Sequence, residues 1–277
     1  MFMAKFNIVA LLAIAALSVV EASVSASNAP SVPLKWFVFR EDCFDTFFEK
    51  KDFFNKECLK ITISKCIGYT IIAGAFIIKV PQILKILKSK SVEGISKYLY
   101  YIDLLMYMNS TGYSLHMKIP FSVSGENIII LIQLAIIVLQ FWTYSKTITA
   151  LEKFILSAFF FVYSFILLND TLLSEEAWTF IAQINILLLC SSRLPQIFTN
   201  FQNKSTGNLA FITFFLGFGG SLARLGTVIV ETDDFVFLLG FVVAVCLNGI
   251  IVLQFILYWN NSKHPKVDNT KKEKKNQ

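Results

Sequence analysis

The sequence predicts an all-α, multi-pass membrane protein with seven transmembrane helices, arranged as two three-helix repeats joined by a linking helix. Three observations predict it. Of the 277 residues, 55% are hydrophobic, 28 are Phe and only 16% are charged, against about 25% charged in ordinary water-soluble domains. The apolar residues gather into runs near the ~20 residues that cross a ~30 Å hydrocarbon core. The third observation is self-similarity at a constant offset of 114 residues, which lays Lys79-Val80-Pro81-Gln82-Ile83 on Arg193-Leu194-Pro195-Gln196-Ile197. A soluble globular domain is excluded. The net charge of +6 resides in short loops and a terminal tail, so it reads as membrane topology and not as a nucleic-acid footprint.

Along the chain, residues 1–27 have the form of a signal peptide: Lys5, an apolar run from Ile8 to Val20, then small residues from Ala22 to Ser27. Residues 28–65 form a luminal amphipathic segment, with Phe44, Phe47 and Phe48 at helical spacing, then Phe53 and Phe54. A helix lying on the membrane surface is the plain reading. Cys43 and Cys58 share this oxidising compartment, as free thiols or as a disulfide. Spans follow at 66–87, 98–117, 126–144, 152–169, 177–199, 209–230 and 235–259, the second being the most polar. Repeat 1 occupies 66–146, the linking span 147–174, repeat 2 175–260, and a cytosolic basic tail 261–277. The tail ends Lys274-Lys275-Asn276-Gln277, which has the form of a receptor-read retrieval signal of the endoplasmic reticulum or of an ordinary solvated terminus.

Loop charges orient the spans. Lys85, Lys88, Lys90 and Lys97 follow the first span, Lys146 and Lys153 the third, and Lys204 the fifth. Those gaps are expected in the cytosol. Asp170, Glu175 and Glu176 follow the fourth span, and Glu231, Asp233 and Asp234 the sixth, with no basic residue among them. Both gaps are expected in the lumen, with the N-terminus luminal and the C-terminus cytosolic.

At the same offset Lys90-Ser91 matches Lys204-Ser205, Gly112 matches Gly226, and Leu139-Gln140-Phe141 matches Leu253-Gln254-Phe255. An odd number of spans between the repeats makes them parallel, a layout found in transporters. Pro81 and Pro195 are expected to bend their helices and free backbone carbonyls. Gln82 and Gln196 can donate to those carbonyls or to a ligand, facing the protein interior. Lys79 and Arg193 are cations inside spans, which snorkel, pair or serve a site. Their equivalence favours a shared interior cavity.

These paired Pro-Gln motifs resemble the PQ-loop family, which includes sugar and amino-acid transporters. Lys90-Ser91-Val92-Glu93-Gly94-Ile95-Ser96 and Phe218-Gly219-Gly220-Ser221-Leu222-Ala223-Arg224 make the chain most similar to its mannose-P-dolichol utilisation defect branch, over about residues 40–277. Cys43, Cys58 and the lysine-rich ending also fit. The resemblance implies an endoplasmic reticulum membrane protein required for using dolichyl-phosphate-mannose and dolichyl-phosphate-glucose. Those donors feed N-glycan precursors, glycosylphosphatidylinositol anchors and related glycosylation. The protein then translocates or presents the lipid-linked sugar, with the bilayer, the lipid-linked sugars and dolichol-dependent glycosyltransferases as partners and no nucleic acid. The alternative is a small-solute transporter for a sugar or an amino acid.

A dolichyl-phosphate sugar demands a cation for the phosphodiester, hydrogen-bonding groups for the sugar and an opening to lipid. The substrate-binding candidates are Lys79, Pro81, Gln82, Arg193, Pro195, Gln196 and Arg224, with Arg suited to bidentate phosphate contact. Asn109, Asn248 and Gln254 either serve the sugar or tie helices together. Gly219, Gly220 and Ser221 form a structural motif, the glycines with Gly226 permitting close helix approach. No enzyme is expected: only His116 and His264 are present, without a nucleophile and partnered base. No catalytic residue, metal or cofactor is expected. The Glu231-Thr232-Asp233-Asp234 stretch reads as a short acidic loop.

Overall fold

The computed structural model describes residues 34–35, 38–93, 95–145, 147–169, 171–206 and 211–259. The expected leader at 1–27 and the basic tail, with Lys274 and Lys275, lie outside the described residues. Two compact units are present, Met1–Asn185 with Gly226–Leu238, and Ile186–Leu225 with Leu239–Gln277.

The first unit opens with a small cap. Strands β1 (Leu34–Lys35) and β2 (Phe39–Arg40) pair antiparallel. A short helix α1 (Glu41–Phe44) runs into a π turn over Asp45–Glu49. Cys43 and Cys58 are joined as a disulfide, and Phe39 and Phe47 pack around it. The segment is therefore no single amphipathic helix. Helical spacing places Phe44, Phe47 and Phe48 together over Glu41–Glu49, but Phe53 and Phe54 fall in the turn beyond it and are exposed. The disulfide closes the segment back on the next helix, which a continuous surface helix would not allow.

That next helix, α2 (Lys56–Ile78), starts ten residues before the expected span. Asn55 caps it, its side chain accepting from Cys58 N–H at 3.2 Å, as a helix N-terminus requires. After one non-helical residue, Lys79, the chain continues as α3 (Val80–Ser89), with Pro81 in its first turn. Then come α4 (Lys97–His116), α5 (Phe121–Tyr144) and α6 (Ala150–Leu168). Helix α5 is the core of repeat 1: Val123, Leu134, Ile137 and Val138 are fully buried, and it packs against α2, α3 and α4. Gly68 permits the closest approach, since a Cβ there would collide with the Ser122 carbonyl oxygen of α5. Helix α6 instead leaves Phe154, Phe159, Phe161 and Phe165 exposed, the surface expected of a lipid-facing helix.

The remaining helices are α7 (Glu175–Asn203), α8 (Phe211–Glu231) and α9 (Phe235–Leu257). In the second unit Phe211 contacts Phe215, Phe255 and Trp259, and Phe214 contacts Phe255.

Six helical stretches among the described residues are long and apolar enough to cross a membrane, with α2 and α3 counting as one stretch, Lys56–Ser89. Helix α4 has the length, at 20 residues, but Asp103, Asn109, Ser110, Thr111 and Ser114 make it too polar to qualify by composition. Its polar residues point inward: Asn109, Thr111 and Ser114 are buried.

Candidate functional site

The site residues of repeat 1 are set by the break at Lys79, where φ is −99° and ψ −7°. Lys79 and Val80 N–H would ordinarily donate to the Ala75 and Phe76 carbonyls one turn back. Lys79 N–H instead donates to Gln133 Oε1 at 2.9 Å. Gln133 Nε2 fills the vacated places, donating to Ala75 O at 2.9 Å and to Phe76 O at 3.1 Å. One side chain of α5 thus completes the broken ladder. Gln82, expected to donate to such carbonyls or to a ligand, does not do the former: its Nε2 is buried without a partner among the described residues.

Lys79 Nζ pairs with Asp103 Oδ2 of α4 at 3.2 Å and lies 5.6 Å from the Tyr100 ring centre. The cation of repeat 1 is therefore already neutralised. Asp103 was not singled out in the sequence, because it stands in the most polar span with nothing local to mark a partner.

In repeat 2, α7 remains helical through Pro195. The residue equivalent to Gln133 is Leu247, which has no amide to fill a break. Arg193 lies over Phe214, with Cζ 5.6 Å from the ring centre. Phe214 is the equivalent of Tyr100, so each repeat sets its motif cation on an aromatic ring. The equivalent of Asp103 is Gly217. No carboxylate pairs with Arg193 among the described residues, and its buried Nε has no hydrogen-bond partner. Arg224 of the same unit is buried, at 2% exposure.

The amides divide in the opposite sense. Gln140 Nε2 donates to Ile83 O at 3.1 Å and Gln254 Nε2 to Ile197 O at 2.8 Å. These are equivalent bonds from the third helix of each repeat to the residue after Pro-Gln. In repeat 2 the chain continues: Gln196 Nε2 donates to Asn200 Oδ1 at 3.0 Å, and Asn200 Nδ2 to Gln254 Oε1 at 3.0 Å. Repeat 1 has Ile86 in the place of Asn200, fully buried. Gln82 Nε2 and Gln140 Oε1 are both left without partners among the described residues.

The glycine motif is placed differently from expectation. An added Cβ at Gly219, Gly220 or Gly226 would meet nothing within 4 Å among the described residues. Close approach falls instead at Gly68, Gly112, Gly125 and Gly249. Ser221 Oγ donates to Phe218 O of its own helix at 2.8 Å. Asn109 ties helices together: it donates to Asn185 Oδ1 at 3.1 Å and accepts from Tyr163 Oη at 2.6 Å.

Sequence reasoning missed one further cluster. Glu231 is no loop acid: its carboxylate accepts from Ser64 Oγ at 2.7 Å and from Ser122 Oγ, and pairs with Lys65 Nζ at 3.1 Å. Asp234 accepts from Tyr113 Oη at 2.8 Å. Small polar residues at Ser64 and Ser122 inside otherwise apolar helices were the available signal.

Tandem three-helix repeats, each bearing a Pro-Gln helix that receives a glutamine bond from its third helix, define a multi-pass helical membrane protein of the repeat-built type. The PQ loop repeat family model matches residues 63–123 and again 177–237, the offset of 114 residues recurring. The chain thus carries two PQ loop repeats. No solved structure matches it.

Proposed function

We propose that the protein serves the use of dolichyl-phosphate-mannose and dolichyl-phosphate-glucose at the endoplasmic reticulum membrane, translocating or presenting the lipid-linked sugar, with Arg193 contacting its phosphate. The supporting observation is the state of Arg193: over Phe214, Nε buried and unpartnered, with no carboxylate paired to it among the described residues. A cation within a membrane helix that lacks a counter-ion favours an anionic ligand, and guanidinium geometry suits phosphate oxygens. Lys79 is held by Asp103 and takes a secondary role.

The stretch from Phe218 to Arg224 supports this branch of the family over others, and the alternating loop charges support a luminal N-terminus and a cytosolic C-terminus. Dolichol-dependent glycosyltransferases are the partners this reading implies. It requires no enzymatic step.

A free amino acid also carries an anion that Arg193 can hold, so transport of a small solute is the second reading. Reconstitution of the purified protein in liposomes separates them. Movement of labelled dolichyl-phosphate-mannose between leaflets supports translocation, and saturable binding without movement supports presentation. Uptake of free sugar or amino acid with neither lipid binding nor movement refutes the lipid-linked reading.

A further inference from the structure

Repeat 2 supplies a template for what is missing in repeat 1. There one amide, Asn200, reaches both the motif glutamine and the third-helix glutamine, at 3.0 Å each. In repeat 1 the same two positions hold Gln82 and Gln140, and Gln140 is held in the same pose by its bond to Ile83 O. Ile86 offers neither donor nor acceptor. The two atoms left over are a donor, Gln82 Nε2, and an acceptor, Gln140 Oε1, both buried. Buried polar groups of this kind are nearly always satisfied, by protein, by water or by ligand.

A carboxylate cannot satisfy both atoms, because it donates nothing to Gln140. An ammonium cannot either, because it accepts nothing from Gln82. A hydroxyl group does both, accepting from Gln82 and donating to Gln140. We infer that Gln82 and Gln140 form a hydroxyl-binding site in repeat 1, taking a sugar hydroxyl or a water, while Gln196 of repeat 2 is structural.

The sugar assignment rests on the lipid-linked-sugar reading above; the hydroxyl site itself does not. The repeats thus divide the labour: repeat 1 has its cation paired and leaves Gln82 Nε2 and Gln140 Oε1 open, whereas repeat 2 leaves its cation without a carboxylate among the described residues and bonds both glutamines through Asn200.

The test uses the full chain in lipid nanodiscs. Ile86→Asn supplies the amide that repeat 2 already has, and Ile86→Ala serves as the size control. Thermal unfolding of Ile86→Asn is expected at or above the wild-type midpoint, and that of Ile86→Ala several degrees below. If Asn costs as much as Ala, the two atoms are not within reach of one polar group and the inference is overturned.

Source is resolved by binding of dolichyl-phosphate-mannose against dolichyl phosphate, which lacks the sugar. If the hydroxyl belongs to the sugar, the wild type favours the mannose-bearing lipid by about tenfold, the value of two neutral hydrogen bonds. Ile86→Asn then loses that preference. A preference retained in Ile86→Asn assigns the site to water. Failure of the wild type to bind either lipid refutes the lipid-linked reading, and the thermal comparison still decides the hydroxyl site.

Discussion

Gln140 and Gln254, 114 residues apart, donate the same hydrogen bond, to Ile83 O at 3.1 Å and to Ile197 O at 2.8 Å. A glutamine inside a membrane helix is costly unless satisfied, and here each is spent on the residue following Pro-Gln. The bond holds the third helix of each repeat to the first at the level of the motif. Differences between the repeats are then meaningful, because they are set in equivalent frames.

Gln133 carries the break at Lys79. Gln133→Leu leaves the Ala75 and Phe76 carbonyls and Lys79 N–H without their side-chain partner, and is expected to destabilise by about 1–3 kcal/mol. Unfolding in detergent measures it. Leu247→Gln at the equivalent position of repeat 2 gives no matching gain, since α7 has no break for the amide to fill.

The charge asymmetry can be exchanged. Asp103→Asn strips Lys79 of its counter-ion and lowers stability, by about 1–2 kcal/mol given that both side chains are partly exposed. Gly217→Asp does the reverse, offering Arg193 a carboxylate at a position where a Cβ meets nothing within 4 Å among the described residues. That variant is expected to fold and to lose affinity for dolichyl phosphate, measured by binding to the nanodisc-embedded protein. Unchanged affinity would show that Arg193 does not hold the anion.

Glu231 is 4% exposed and Lys65 12%. Glu231→Leu leaves a buried ammonium unpaired and two serines without their acceptor, at a cost of about 3–5 kcal/mol. Adding Lys65→Met to it is expected to recover more than half of that loss, read in the same unfolding assay. No recovery would mean that the carboxylate matters through its serine bonds and not through the ion pair.

Acid weakens the cap. Arg40 hydrogen-bonds the Asp42 carboxylate at 2.6 and 2.7 Å and holds it below its ordinary value of 3.8. A folded-state value lowered in this way contributes stability that is present above the ordinary carboxylate range and is lost as pH falls through the lowered value. Hydrogen exchange over Phe39–Glu49 is therefore expected to quicken below about pH 4, beyond the intrinsic rate. Asp42→Asn is expected to abolish that acid-side change; a persisting change would assign it to another group. Half of the Asp42 side chain is exposed, so the effect is local and modest.

Periodicity and repetition were enough to read an all-helical membrane chain and its repeat, though not seven spans, since six stretches among the described residues qualify; span length and the 114-residue offset are properties of the chain alone. Interactions that break the repeat were not legible. Gln133 has Leu247 as its equivalent and Asp103 has Gly217, so self-comparison passes over both, although they determine how Lys79 is held. Glu231 obeys the charge rule for a loop and still turns inward, because Ser64, Lys65 and Ser122 await it on α2 and α5. The glycine motif misled for the converse reason: small residues permit close approach but do not impose it.

The central claim is that Arg193 is an anion site for a phosphate-bearing lipid. Equilibrium binding of labelled dolichyl phosphate to nanodiscs carrying wild type, Arg193→Lys or Arg193→Leu tests it most directly. The account predicts weakened but measurable binding with Lys, and at least about a tenfold loss with Leu at an unchanged unfolding midpoint. Wild-type affinity in Arg193→Leu would contradict it.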